Sequence, residues 1–304
     1  MPETIRIATR ESELALWQAN FVRDQLLAAH PGLDVELLGM TTQGDRWLAA
    51  PLSEVGGKGL FVKELEVAML DGYADIAVHS VKDLPAHMPD GFDLPVIAFR
   101  DAVEDVLLSK LGGLADLPHG ARVGSSSLRR RSQLLARRAD LDVVPVRGNV
   151  GTRLQKLDRG EYDAIVLAAA GLKRLGIERD DAHTLHVDTC LPAPGQGALG
   201  IECRLDAPFM ALLAPLKDEV TARCVTAERG VSAGLGADCS LPVAAHASID
   251  AGGEISLRAL LGSADGSQIL RASASGGDPA AVALDAVQQL YALGAETILA
   301  ELRD

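Results

Sequence analysis

The chain has 304 residues, with 29 Lys+Arg against 42 Asp+Glu and a formal net charge of −13. It is 48% hydrophobic and 23% charged with only 4 Cys, which excludes a disordered chain, a collagen and a disulfide scaffold. The acidic balance argues against a general nucleic-acid binder, and 5 Phe, 3 Tyr and 2 Trp are too few for a base-stacking platform. Length predicts two or three domains.

The longest apolar run, around Ala164 to Leu172, is about half of what a bilayer span needs, so no membrane partner is expected. The N-terminus carries Glu3 and Arg6 and enters a strand pattern at once. A signal peptide is therefore not expected. Cys190, Cys203, Cys224 and Cys239 contain no CxxC pair. That spacing suggests neither a zinc site nor a redox motif, and the expectation is a reduced, cytoplasmic chain.

In chain order, Ile5–Ala8 reads as a strand, and Ser12 opens an amphipathic helix that stops at His30-Pro31-Gly32. Val35–Met40 reads as a strand, Phe61–Leu70 as a helix and Asp75–Val78 as a short buried strand. The rhythm restarts after Arg100–Asp105: strand Arg122–Gly124, helix Leu128–Arg138, strand Val143–Val146, helix Gly151–Leu157, strand Ala164–Ala168. Such alternation implies α/β architecture with mainly parallel sheets. Leu191–Gly197 is a Pro/Gly linker. A third region holds a helix over Val220–Ser232, a Gly-rich loop with Cys239 and strands including Ile255–Leu261, which predict an antiparallel α+β unit. One final helix is expected over Pro279–Glu301. No internal repeat is evident.

Gly195-Gln-Gly-Ala-Leu-Gly200 matches GxGxxG but leads into the strand-like Ile201-Glu-Cys203. A dinucleotide fingerprint must instead open a helix, so a turn is the better reading. Gly56-Gly-Lys-Gly59 lacks the remainder of a Walker A loop, yet it can bring Lys58 to an anion. His183 and His186 lack companion ligands, and a polar loop outweighs a metal site there.

The arginines say more. Between Arg122 and Arg153 stand eight Arg, no Lys, and only Asp140 and Asp142. A solvated helix face is the bland alternative. Against it, every base is Arg, the side chain suited to bidentate carboxylate binding. Ser125-Ser-Ser127 and Asn149 also stand where strands give way to helices, which are anion-binding positions. A small polyanionic ligand is the expectation. His79-Ser-Val-Lys-Asp83 follows a predicted parallel strand, where α/β proteins place ligands. Asp83 is a candidate acid, base or charge stabiliser there, or else a turn aspartate. Cys239, between glycines and Pro242, is a candidate nucleophile, or else a buried thiol.

Taken together, Ile7-Ala-Thr-Arg10, Leu14-Ala-Leu-Trp-Gln18, Gly56-Gly-Lys-Gly-Leu-Phe61, Ala77-Val-His-Ser-Val-Lys-Asp83, Val123-Gly-Ser-Ser-Ser-Leu-Arg-Arg130, Arg147-Gly-Asn-Val-Gly-Thr-Arg153 and Cys239 stand in an order that resembles the porphobilinogen deaminase (hydroxymethylbilane synthase) family. The resemblance runs from about Arg6 to the C-terminus. It implies two periplasmic-binding-protein-like lobes with mainly parallel sheets, a cleft between them, and a small α+β C-terminal domain. The implied boundaries are 1–98 with 199–217 for lobe 1, 99–198 for lobe 2 with hinge segments at both ends, and 218–304 for the third domain. It further implies a dipyrromethane cofactor in thioether linkage to Cys239. Four porphobilinogen units would be joined onto it head to tail, and hydrolysis would release the linear tetrapyrrole.

By the family pattern, Arg10, Lys58, Ser80, Lys82, Ser125, Ser126, Ser127, Arg129, Arg130, Arg147, Gly148, Asn149, Arg153, Arg174 and Gln196 contact cofactor or substrate. Asp83 would stabilise the positive charge that develops as ammonia leaves and an azafulvene forms. No metal, nucleic acid or membrane is implied, and a cytoplasmic monomer is expected. Three positions depart from the pattern: Glu54 where many members have Lys, Ala237-Asp238 where many have Gly-Gly, and Ser125 in place of Thr. Two other classes use some of the same features. A non-catalytic anion sensor would need the arginines but neither Cys239 nor Asp83, and a dinucleotide oxidoreductase would rest on Gly195–Gly200 alone.

Overall fold

The structure, a computed structural model, describes residues 3–42, 62–237 and 241–302. Two compact units emerge, one of Met1–Asp101 with Gly197–Arg223 and one of Ala102–Gln196 with Cys224–Asp304.

The first stretch runs β1 (Thr4–Arg10), α1 (Glu13–Ala29), β2 (Asp34–Met40), α2 (Lys63–Leu70), β3 (Ile76–Ser80) and β4 (Phe92–Arg100). The second runs β5 (Asp105–Leu108), β6 (Arg122–Gly124), α3 (Leu128–Arg137), β7 (Asp142–Val144), α4 (Val150–Asp158), β8 (Ala164–Ala168), α5 (Ala169–Arg174) and β9 (Ala182–Leu185). Then follow β10 (Ala198–Arg204), α6 (Met210–Leu213), α7 (Glu219–Gly234), β11 (Val243–Ile249), β12 (Ile255–Gly262), β13 (Ile269–Gly276), α8 (Pro279–Ala292) and α9 (Ala295–Glu301).

Local chemistry accounts for these boundaries. The Ser12 side chain accepts from Ala15 N and starts α1, leaving Ala19, Val22 and Leu26 as its buried stripe. Ser127 and Asn149 cap α3 and α4 in the same way. The single C-terminal helix expected from sequence is broken: Gly294 takes φ +101 and separates α8 from α9. A strongly periodic apolar pattern hid that break, because the glycine sits where the stripe continues.

The first unit's sheet has the order β2-β1-β3-β10-β4. β1 is parallel to β2 and β3, and β10 is antiparallel to both β3 and β4. The larger unit's five-stranded sheet has the order β7-β6-β8-β5-β9, with β5 the reversed strand. In each sheet four strands run one way and the fourth in order runs against them. The two orders correspond place for place, a topological repeat that the sequence does not display. β10 begins at Ala198, inside the Gly195–Gly200 motif, and contains Gly200, so no helix N-terminus is available there for a dinucleotide.

Residues after Cys224 form a separate α+β layer. β11, β12 and β13 make an antiparallel sheet, and its core joins Val231, Leu257, Leu261, Ala286 and Leu290 with α9 residues Ile298 and Leu299. Among the described residues, no helix is long and apolar enough to cross a membrane.

Candidate functional site

In the first unit, β1 and β3 run parallel with Ala8 opposite Ala77, so both strands end on one side. Arg10 closes β1 and Ser80 closes β3, and the next three residues, Val81–Asp83, form a 3-10 turn. Arg10, Ser12, Gln18, His79, Ser80 and Asp83 line one pocket at these ends. The Gln18 amide donates to Ser80 Oγ at 2.8 Å and fixes that hydroxyl. Asp83 is exposed, while Arg10, Ser80 and Lys82 are half-buried. His79 Nε2 and Glu202 Oε2 lie 2.7 Å apart as a buried pair, so this histidine is held by a carboxylate. Burial, with Glu202 nearby, pushes the Glu66 carboxyl up.

In the second unit, the N-terminal turn of α3 places Arg129 and Arg130, both buried, around Asp105 at the start of β5. Arg129 Nη1 donates to Asp105 Oδ2 at 2.8 Å and to Leu191 O at 2.8 Å. Arg130 Nη2 donates to Asp105 Oδ1 at 2.7 Å, and its Nη1 to Val166 O at 2.9 Å. The Gln196 amide donates to Asp105 Oδ1 at 2.9 Å and to Val103 O at 2.6 Å. Burial alone would raise the Asp105 carboxyl, but the two guanidiniums overcome it and hold the group far below the usual carboxylate range. Cys190 Sγ lies 3.5 Å from Asp105 Oδ2, and burial beside that carboxylate pushes the thiol up to about 12.

The serines serve the backbone. Ser126 Oγ donates to Val146 O at 2.7 Å, Ser127 Oγ accepts from Arg130 N at 3.4 Å, and Ser125 Oγ accepts from Ser127 N at 3.3 Å. These bonds shape the turn before α3. Arg147 to Arg153 is built the same way. Asn149 Oδ1 accepts from Thr152 N at 2.8 Å and Thr152 Oγ1 at 2.9 Å, and Arg153 Nε donates to Gly148 O at 2.8 Å. Gly148 takes φ +111, and a Cβ there would sit 2.6 Å from Thr152 Cγ2. Gly148→Ala is therefore expected to cost about 2 kcal/mol or more in thermal unfolding. Gly160→Ala, at φ +74 with open space around it, is the control and should cost about 1 kcal/mol. Equal losses would show that the Thr152 contact is without consequence. Arg174 is buried at the last turn of α5. Lys58 and Cys239, with Glu54 and Asp238, lie outside the described residues.

Sequence reasoning missed Asp105, Gln133 and Cys190. Gln133 exchanges two hydrogen bonds with the Leu191 backbone, at 2.7 and 2.9 Å. Asp105 had one available signal, an ionised residue opening the fully buried strand Asp105-Val-Leu-Leu108.

The chemistry of the second group is specific. Two buried guanidiniums face one buried carboxylate, which leaves one positive charge in excess. Arg129 Nε and Arg130 Nε are buried without a hydrogen-bond partner. Such a site gains from a further anion, and planar guanidiniums suit a carboxylate.

Residues 5–211 match the family model "Porphobilinogen deaminase, dipyromethane cofactor binding domain", and residues 222–292 match "Porphobilinogen deaminase, C-terminal domain". Porphobilinogen deaminases from two strains of Acidithiobacillus ferrooxidans are each 52% identical over 306 residues, covering 100% of this chain and 100% of the relative. Among solved structures, the methionine-binding protein MetQ aligns with a TM-score of 0.44 at 15% identity, over 71% of this chain and 90% of its own.

Proposed function

Because the chain belongs to the porphobilinogen deaminase family, we propose that its arginine and aspartate groups bind and act on carboxylate-bearing pyrroles. It is a transferase that polymerises porphobilinogen to hydroxymethylbilane with loss of ammonia, and its cofactor is dipyrromethane. The observation that carries the residue roles is the buried Arg129–Arg130–Asp105 group with its excess positive charge.

The dipyrromethane supplies a covalently held pyrrole end as primer, and Cys239 is the residue proposed to carry it. Arg129, Arg130, Arg147, Arg153 and Arg174 bind acetate and propionate groups. Ser125, Ser126, Ser127, Gly148, Asn149 and Gln196 hold those arginines in place and offer N–H or hydroxyl donors. Arg10, Lys58, Ser80 and Lys82 give the first unit its own carboxylate contacts. Asp83 accepts from pyrrole N–H groups and stabilises the positive charge that develops as ammonia departs. A fixed anion aimed at developing charge acts without reorganising at the moment of reaction. Its exposed position at a strand end leaves it open to substrate.

Three domains are part of this reading, divided at 1–98 with 199–217, 99–198 and 218–304. The separate core of residues 224–302 supports the last of them. A cytoplasmic monomer without nucleic-acid or membrane partners is also proposed. The net charge of −13 and the buried thiols of Cys190 and Cys203 support it.

Intact-mass spectrometry tests the proposal. The purified chain should carry an adduct the size of two pyrrole units, and Cys239→Ser should lack it. An unmodified chain with full porphobilinogen turnover would overturn the assignment of Cys239.

A further inference from the structure

Glu228 lies on α7 and is fully buried. Both of its carboxylate oxygens accept from backbone N–H groups of other segments. Oε2 accepts from Gly195 N at 2.7 Å and Oε1 from Ala247 N at 2.8 Å, and His246 Nδ1 lies 3.5 Å from Oε1. Gly195 immediately precedes Gln196, whose side chain reaches Asp105 at 2.9 Å and Arg129 at 3.5 Å. The start of the same segment is held from the C-terminal sheet. Ala245 N donates to Pro192 O at 3.1 Å, and Leu191 packs with Ala244 and Leu260.

Segment 191–196 is thus bonded on one side to the arginine group and on the other to the C-terminal domain. We propose that Glu228 is a positioning residue for pyrrole binding: it clamps Gly195 and so sets Gln196 against the Asp105–Arg129 pair. The proposal rests on the reading of Gln196 and Arg129 as carboxylate-binding groups. α7 leads to Cys239, so the clamp ties the element before the proposed attachment residue to the buried arginines.

The choice of a carboxylate follows from the bonds it makes. Two N–H donors from different segments need two acceptors on one side chain, and only an ionised carboxylate offers these without a competing donor. Such charge-assisted bonds are short and strong, and they offset the cost of burying the charge. Glu228→Gln keeps the shape but turns an NH2 toward one of the two N–H groups.

The test uses the full chain with and without its adduct. Glu228→Gln should speed amide hydrogen exchange at Gly195 and Gln196 in both forms. It should lower kcat/KM for porphobilinogen by about 10-fold or more, as a displaced binding group does. In a Gln196→Ala background it should cause less than about a twofold further loss, since coupled residues are not additive. Unchanged exchange, or losses that multiply in the double variant, would overturn the proposal. Should Gln196→Ala alone leave kcat/KM intact, the binding role of Gln196 falls and the positioning role with it. If Glu228→Gln does not fold, Gly195→Ala strains a residue at φ +73 and displaces the same N–H from the other side. It must then give the same exchange and coupling pattern.

Discussion

Asp105→Asn is expected to destabilise the protein by about 3–5 kcal/mol, the usual cost of leaving a buried ion without its partner. The carboxylate is fully buried and receives Arg129 at 2.8 Å and Arg130 at 2.7 Å. An amide of the same shape keeps one acceptor and loses the charge, so two guanidiniums remain buried together and repel. Urea unfolding measures the loss directly, and a change below about 1 kcal/mol would mean that solvent or another anion already compensates the arginines. The pH dependence has a defined sign. The folded Asp105 carboxyl lies well below its unfolded value, so its contribution is complete above about pH 4 and fades as pH falls below that. Asp105→Asn should therefore flatten the acid limb of the stability curve in that range and leave the neutral region uniformly lower.

Asp83→Asn should do the reverse, sparing the fold and removing turnover. The side chain is exposed on a 3-10 turn, so unfolding temperature should hardly move. By analogy with the loss of one preorganised charge stabiliser, kcat should fall about 10²- to 10³-fold. Single-turnover release of ammonia separates chemistry from binding. Near-normal release in Asp83→Asn would sink the assigned role. A loss confined to KM would turn Asp83 into a binding group only.

Much of this was readable from local chemistry. Ser12, Ser127 and Asn149 stand at the helix starts where the sequence places them, and each caps its helix, while strands Arg122–Gly124 and Ala164–Ala168 fall where the apolar runs place them. These features depend on neighbours a few residues apart. What escaped depends on partners far along the chain. Arg129 was legible as an anion binder, but Asp105 lies 24 residues away and carries no motif. Glu228 reads as one polar residue in a helix, and its bonds to Gly195 and Ala247 span 33 and 19 residues. β5 and β10 look like ordinary apolar strands, and only pairing reveals that each is the reversed member of its sheet.

The reversed strand β10 also governs the order in which the first unit can be completed. It lies between β3 and β4, yet 97 residues separate the end of β4 at Arg100 from its own start at Ala198. A chain of residues 1–101 lacks β10, the strand that fills the gap between β3 and β4. The intervening residues must be synthesised before that gap is filled. Until then the unpaired edges are templates for another chain, and closing so long a loop makes the final step a slow one. The segment that returns from the second unit is thus the keystone of the first, and the vulnerable interval of synthesis is the one that ends with Arg204.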